Sequence, residues 1–196
     1  MTARDPNIEQ DVRAMVRNIV DGLWGTEDTD QGSENPSDPS TCDVKTVAIG
    51  GDHGGFALKE RLAFRLSEVG FEVIDCGTDS VEAVDYPDIA ADVARKVASG
   101  EADAGVIVDG AGIGSAMTAN KISGVRAALC YDLSTARNAR DHNHANVLTL
   151  GAGLTGDTLA WQITEEFLAT PYGEGRHARR VEKIDALDTG ATETAR

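Results

Sequence analysis

The 196-residue chain has no apolar run approaching the ~18–20 residues that cross a bilayer. Its start, MTARDPNIEQ, lacks the basic opening, continuous apolar stretch and small-residue cleavage site of a secretory signal. Cysteine is scarce: Cys42, Cys76 and Cys130 are odd in number and widely spaced, and form neither a CxxC pair nor a disulfide framework. These absences point to a reducing cytoplasm and away from a membrane. Positive charge is also in short supply, with 18 Lys and Arg against 33 Asp and Glu, a net charge of −15. An acidic surface repels phosphate backbones, which excludes general nucleic-acid binding. What remains is ordinary for a globular protein, 41% hydrophobic and 26% charged, in a length that admits one domain with tails.

The acid is unevenly spread: residues 1–45 carry ten acidic and four basic side chains. Within them Ile8, Val12, Met15, Val16, Ile19, Val20 and Leu23 recur at intervals of three and four, the stripe of an amphipathic helix. Pro6 precedes it, and Gly22 and Gly25 mark its end. A helix this short is marginal alone in water, so its stripe needs a partner. Residues 25–41, GTEDTDQGSENPSDPST, contain no aliphatic or aromatic side chain and read as an extended linker. The expected division is a docking helix over 1–24, a flexible acidic linker over 25–43, a folded domain over 44–188 and a disordered tail over 189–196. Packing of the helix on its own domain or on a subunit neighbour is the alternative.

From Val44 the pattern alternates. Strands are expected at 46–50, 72–75, 105–109, 126–130 and 146–150. Helices are expected over 56–69, 87–98, 115–122, 134–141, 158–169 and about 176–187. Apolar strands bracketed by amphipathic helices predict an α/β fold: a three-layer α/β/α sandwich around a five-stranded parallel, Rossmann-like sheet.

Ligands of such sheets bind outside the carboxyl ends of the strands. After the first strand comes Gly50-Gly51-Asp52-His53-Gly54-Gly55, and after the third comes Asp109-Gly110-Ala111-Gly112-Ile113-Gly114-Ser115. Asp75, about twenty residues past the first loop, sits where a ribose-binding acid would. The loop itself fails the GxGxxG pattern, because Asp52 and His53 stand where a pyrophosphate needs glycine. The second loop suits a small anion, with Gly110, Gly112 and Gly114 freeing backbone amides at a helix start. The alternative for those glycines is a tight strand-to-helix turn.

All four histidines lie in polar, turn-like contexts: His53 in GGDHGG, His142 and His144 in RDHNHAN, and His177 in GRHARR. His142 and His144 have no accompanying cysteine or carboxylate cluster of the kind that zinc sites use. Arg176, Arg179 and Arg180 form a basic cluster in an acidic protein, and a helix would place Arg176 and Arg180 on one face, where guanidinium forks suit phosphate.

VAIGGDHGGFALK, DYPDIA, DGAGIGSAMTANK, ARDHNHANVL and GRHARRVEKI, taken in order over about residues 45–187, resemble the type B ribose-5-phosphate isomerase family, which includes the galactose-6-phosphate isomerase subunits. The resemblance implies an aldose–ketose isomerase without metal or other cofactor, converting a sugar phosphate of four to six carbons through a cis-enediolate. It also implies dimers, often paired into tetramers, with active sites between subunits. Asp52 and His53 match the family's Asp-His pair, His142 its ring-opening histidine, Asn143 the polar residue beside it, and Tyr86 an aromatic at the pocket. Asn120 and the glycines around Gly110 and Gly114 match the enediolate-binding loop. Arg176 and Arg180 match phosphate-binding arginines, with His177 their neighbour.

The departures bear on chemistry. One branch of the family carries a cysteine base where this chain has Asp109, and another a glutamate at the position of Ser115. Ala111 replaces a hydroxyl residue, and Gly153 a phosphate-supporting arginine. Asp109 is therefore the expected base; the alternative function is a catalytically weak, sugar-phosphate-binding partner subunit. The N-terminal helix resembles an encapsulation peptide, which implies docking of residues 8–23 on a bacterial microcompartment shell protein. A membrane-surface role is disfavoured because its polar face mixes acids and bases.

Overall fold

The computed structural model describes residues 44–173 and 175–188. The expected N-terminal helix, the acidic linker and the C-terminal tail lie outside those residues. Five strands form one parallel sheet: β1 (Thr46–Gly51), β2 (Glu72–Asp75), β3 (Ala104–Asp109), β4 (Ala127–Leu129) and β5 (Val147–Gly151), in the order β2-β1-β3-β5-β4. Six helices accompany them: α1 (Phe56–Glu68), α2 (Tyr86–Ala98), α3 (Ile113–Ala119), α4 (Leu133–Asn143), α5 (Asp157–Ala169) and α6 (Ala178–Asp188).

Strand alternation sorts the core into two layers. Val47, Ile49, Val106, Val108, Leu148 and Leu150 pack with Leu58, Leu62 and Leu66 of α1, Ala136 of α4, and Ile163 and Phe167 of α5. Ala48, Ile107 and Val147 face the other way, against Ala90, Val93 and Ala94 of α2 and Ala119 of α3. Burying each large apolar side chain contributes about 1.5–3 kcal/mol, so these layers hold the sheet between its helices.

The order of the strands creates a crevice. From β1 the chain turns outward to β2, and from β3 it moves the other way to β4, so the connections leave adjacent strands toward opposite faces. Such a switch point is where open α/β sheets bind ligands. Gly55 and Gly112 shape its walls. A Cβ at Gly55 would stand 3.1 Å from Asp109 N, and Gly112 has φ 78° with Leu150 C only 3.0 Å from a would-be Cβ. Neither position accommodates a side chain without strain.

Two expected helices differ. The third begins earlier and is shorter, at Ile113–Ala119, because Asn120 caps it and Gly124 turns the chain at φ 82°. The last begins at Ala178, with Arg176 in a preceding 3₁₀ turn (Gly175–His177). Arg176 and Arg180 therefore do not share the face of one α-helix.

Candidate active site

The strand ends place Asp52 and His53 just beyond β1 and Asp109 at the end of the neighbouring β3. A point beside Gly54 lies 3.4 Å from Asp52 Oδ1 and 3.7 Å from Gly110 N, so both loops border one mouth. Asp52 is 9% exposed, and its Oδ1 accepts a 2.9 Å hydrogen bond from Gly55 N. The His53 ring is exposed, and its Nδ1 accepts from Val84 N at 3.4 Å. Asp52 and His53 are thus each tied to backbone and not hydrogen-bonded to one another. The Tyr86 ring fills the space that a side chain at Gly114 would take, with its Oη 2.6 Å from the would-be Cβ.

Asp109, the expected base, is hydrogen-bonded within its own loop. Its Oδ1 accepts from Ala111 N at 2.8 Å and from Gly112 N, and its Oδ2 accepts from Ser115 N at 3.2 Å and from the Ser115 hydroxyl. A carboxylate has about four lone-pair positions, and four donors fill them here. The anion cradle read from the glycines is occupied by the chain's own carboxylate, which engages the Gly112 and Ser115 amides. Ser115 is fully buried and Asp109 only 5% exposed, so both support the loop from beneath. The two positions at which family branches carry their base are in direct contact in this chain.

Asn120 is likewise committed to structure. Its Nδ2 donates to Ala116 O and Ala127 O, both at 2.9 Å, and its Oδ1 accepts from Ala127 N at 2.8 Å, which fastens β4 to α3. Asp75, the residue resembling a ribose acid, serves Lys59. The buried Lys59 Nζ donates to Asp75 Oδ2 at 2.7 Å and to Thr78 O at 3.0 Å. Burial pulls against its charge, but Asp75 and Glu60 outweigh that and hold the ammonium above its usual 10.5. This clamp anchors the segment leading to Val84 and His53. Sequence reading missed it, although Lys59 and Asp75 were both visible; their sixteen-residue separation carries no periodic signal.

The remaining candidates gather at the other end of the sheet. Helix α4 starts beyond the carboxyl end of β4, where Asp132 accepts from Thr135 N at 2.7 Å, and runs back to the start of β5. Its last turn carries His142 and Asn143 to the amino-terminal rim. There the His142 and His177 rings stack at 4.1 Å with an interplanar angle of 5°. Asn138 Nδ2 meets His142 Nδ1 at 2.8 Å, Asn143 Nδ2 donates to Asn138 O at 3.2 Å, and Arg176 Nε donates to His177 Nε2 at 3.3 Å. His177 is held below 6.5, first by desolvation, then by His142, Arg176 and Arg180. Arg176 and Arg180 are exposed. His144 turns away from this group, stacking on Tyr172 at 4.3 Å.

The expected site residues therefore form two groups. Asp52, His53, Tyr86 and the Gly110–Ser115 loop occupy one rim, and His142, Asn143, Arg176, His177 and Arg180 the opposite one. Eleven helical residues in α4 span about 16 Å from one end of the sheet to the other. Among the described residues no group of three His, Cys, Asp or Glu side chains could hold a metal ion, and no helix is long and apolar enough to cross a membrane.

Comparison with known proteins places this architecture. Residues 47–184 match a family model described as Ribose/Galactose Isomerase. Ribose-5-phosphate isomerase B of Escherichia coli (strain K12) is 44% identical over 145 residues, 74% of this chain and 97% of the relative. Among solved structures, a ribose-5-phosphate isomerase B from Clostridium thermocellum has a TM-score of 0.73 at 44% identity, covering 75% of this chain and 99% of that one. A type B ribose 5-phosphate isomerase from Trypanosoma brucei has a TM-score of 0.71 at 50% identity, covering 74% and 99%.

Proposed function

The chain belongs to the ribose/galactose isomerase family, and from that premise we propose how its two rims divide the work of an aldose–ketose isomerase acting on a sugar phosphate. The carboxyl-end rim, with Asp52, His53 and Tyr86, handles the sugar carbons. The amino-end rim, with Arg176 and Arg180, binds the phosphate through charge-assisted hydrogen bonds, while His142, backed by Asn138 and stacked on His177, assists ring opening. The observation that carries this reading is the opposition of the rims. One protomer cannot bring them to one ligand, so a second copy supplies the missing half and each dimer forms two sites.

Ribose 5-phosphate is the first substrate to test, because relatives named for it match nearly end to end. Gly153 stands where the family commonly has an arginine, which favours a sugar phosphate of different length or epimer. Turnover of a panel of four- to six-carbon aldose phosphates tests this directly. Binding across the panel without turnover would support the partner-subunit reading, which the filled lone pairs of Asp109 favour.

The apolar periodicity of residues 8–23 and the polar sequence after it fit microcompartment cargo, in which the stripe docks on a shell protein while the domain works in the lumen. A fusion of residues 1–24 to a fluorescent protein should form foci in shell-producing cells. Diffuse signal there would rule the cargo role out.

A further inference from the structure

We propose that Asp52, through its Oδ2, is the base that moves the proton between C1 and C2 in this chain. The assignment rests on the isomerase reading above. An enediol reaction needs a base with a lone pair facing the substrate carbon. Asp109 offers none, because the Ala111, Gly112 and Ser115 donors take both of its oxygens. Ser115 is sealed from the crevice. His53 accepts from Val84 N through Nδ1, so its neutral ring carries its proton on Nε2 and presents a donor.

Asp52 differs in one respect that decides the matter. Its Oδ1 is fixed by Gly55 N, while its Oδ2 has no hydrogen-bond partner among the described residues. That oxygen is not sealed away either: Tyr172 Oη is the one fully enclosed side-chain polar atom without a partner among them. Asp52 borders the mouth between the two loops, and a carboxylate anchored on one oxygen with the other unpartnered keeps a lone pair for proton abstraction. His53 beside it supplies the hydrogen-bond donor that the substrate oxygen needs. The role of base thus passes to the adjacent strand, from the end of β3 to the end of β1.

The step balances without a co-reactant. Asp52 Oδ2 takes the C2 proton, the C2–H pair forms the C1=C2 bond, and the C1 carbonyl pair moves onto O1, stabilised by the His53 Nε2 donor. The hydroxyl proton on O2 passes to O1 as O2 becomes the carbonyl. The C1=C2 pair then takes the proton back from Asp52 at C1. The ketose leaves, and the carboxylate is regenerated.

The test is solvent-deuterium exchange into C2 of ribose 5-phosphate, and then of four- and six-carbon aldose phosphates, using the full chain. Asp52→Asn should lower exchange and turnover by about 10²–10⁴-fold, the usual worth of a positioned base. Asn retains the Oδ1 contact to Gly55 N, so its melting midpoint should stay close to wild type. Asp52→Glu should restore part of the exchange. Asp109→Asn should melt earlier yet exchange faster than Asp52→Asn. Wild-type exchange in Asp52→Asn would overturn the assignment. So would an Asp109→Asn protein with an unchanged midpoint and no exchange, which would return the role to Asp109. Absence of exchange by the wild type on every sugar would overturn the isomerase reading itself, a result read before any variant is made.

Discussion

The two rims of the sheet are built by different physics. At the carboxyl end, the candidate residues sit on loops stiffened from within. Asp109 binds its own loop through four hydrogen bonds, Lys59 clamps the segment that positions His53, and glycines permit close backbone approach. At the amino end, the candidate residues are half-buried histidines held by ring stacking and single hydrogen bonds, beside exposed arginines. A rigid, carboxylate-bearing rim suits bond-making chemistry, where small misplacements are costly. A cationic, accessible rim suits capture of a phosphate. The contrast shows how a protein of charge −15 can offer a place suited to an anion: the acid is spread along the chain, residues 1–45 included, and the arginines are local.

The sharpest way to break the contrast is to change one rim and ask which kinetic constant responds. Asp52→Asn should have the largest effect, a fall in kcat of about 10²–10⁴-fold with KM little changed. Next comes Arg180→Ala. Loss of a charge-assisted hydrogen bond to phosphate, about 1.5–3 kcal/mol, should raise KM about 10- to 100-fold while kcat changes less. A kcat loss without a KM change would remove Arg180 from the phosphate half.

Asp109→Asn should act on stability first. The amide presents a donor to loop donors in a buried setting, at about 1–3 kcal/mol per unsatisfied group, lowering the melting midpoint by several degrees. The smallest effect concerns His144, held below 6.5 by burial first, then by Arg126 and Arg140. The folded state therefore binds fewer protons than the unfolded chain. Its contribution is intact above pH 6.5 and is lost as pH falls toward the lower folded value. His144→Asn, which tolerates the left-handed backbone at φ 49°, should flatten the fall in melting midpoint between pH 7.5 and 5.5.

Most of the fold was legible because strand and helix periodicities differ and the apolar runs are short and clean. TVAIG and GVIVD read as buried strands. The site was legible in composition but not in assignment. Asp52, His53, Asp109 and the glycine loop announce themselves by clustering at strand ends. Which lone pairs of Asp109 are free depends on where Ala111, Gly112 and Ser115 direct their donors, a matter of three-dimensional closure. Arg176 and Arg180 lie four residues apart, which on a helix means one face, but the 3₁₀ turn breaks that inference. That α4 carries His142 to the far rim follows from the parallel sheet already expected, but only when the helix is traced from the end of β4 to the start of β5.

In the proposed arrangement one active site takes one rim from each of two subunits. Mixing Asp52→Asn and His142→Ala subunits, each nearly inactive alone, under conditions that allow exchange tests it directly. Half of the randomly paired dimers are mixed, and each mixed dimer carries one site with both rims intact. Activity should therefore recover to about one quarter of wild type. If both rims served a site within one subunit, no mixed dimer would hold an intact site, and activity would stay at the level of the parent variants.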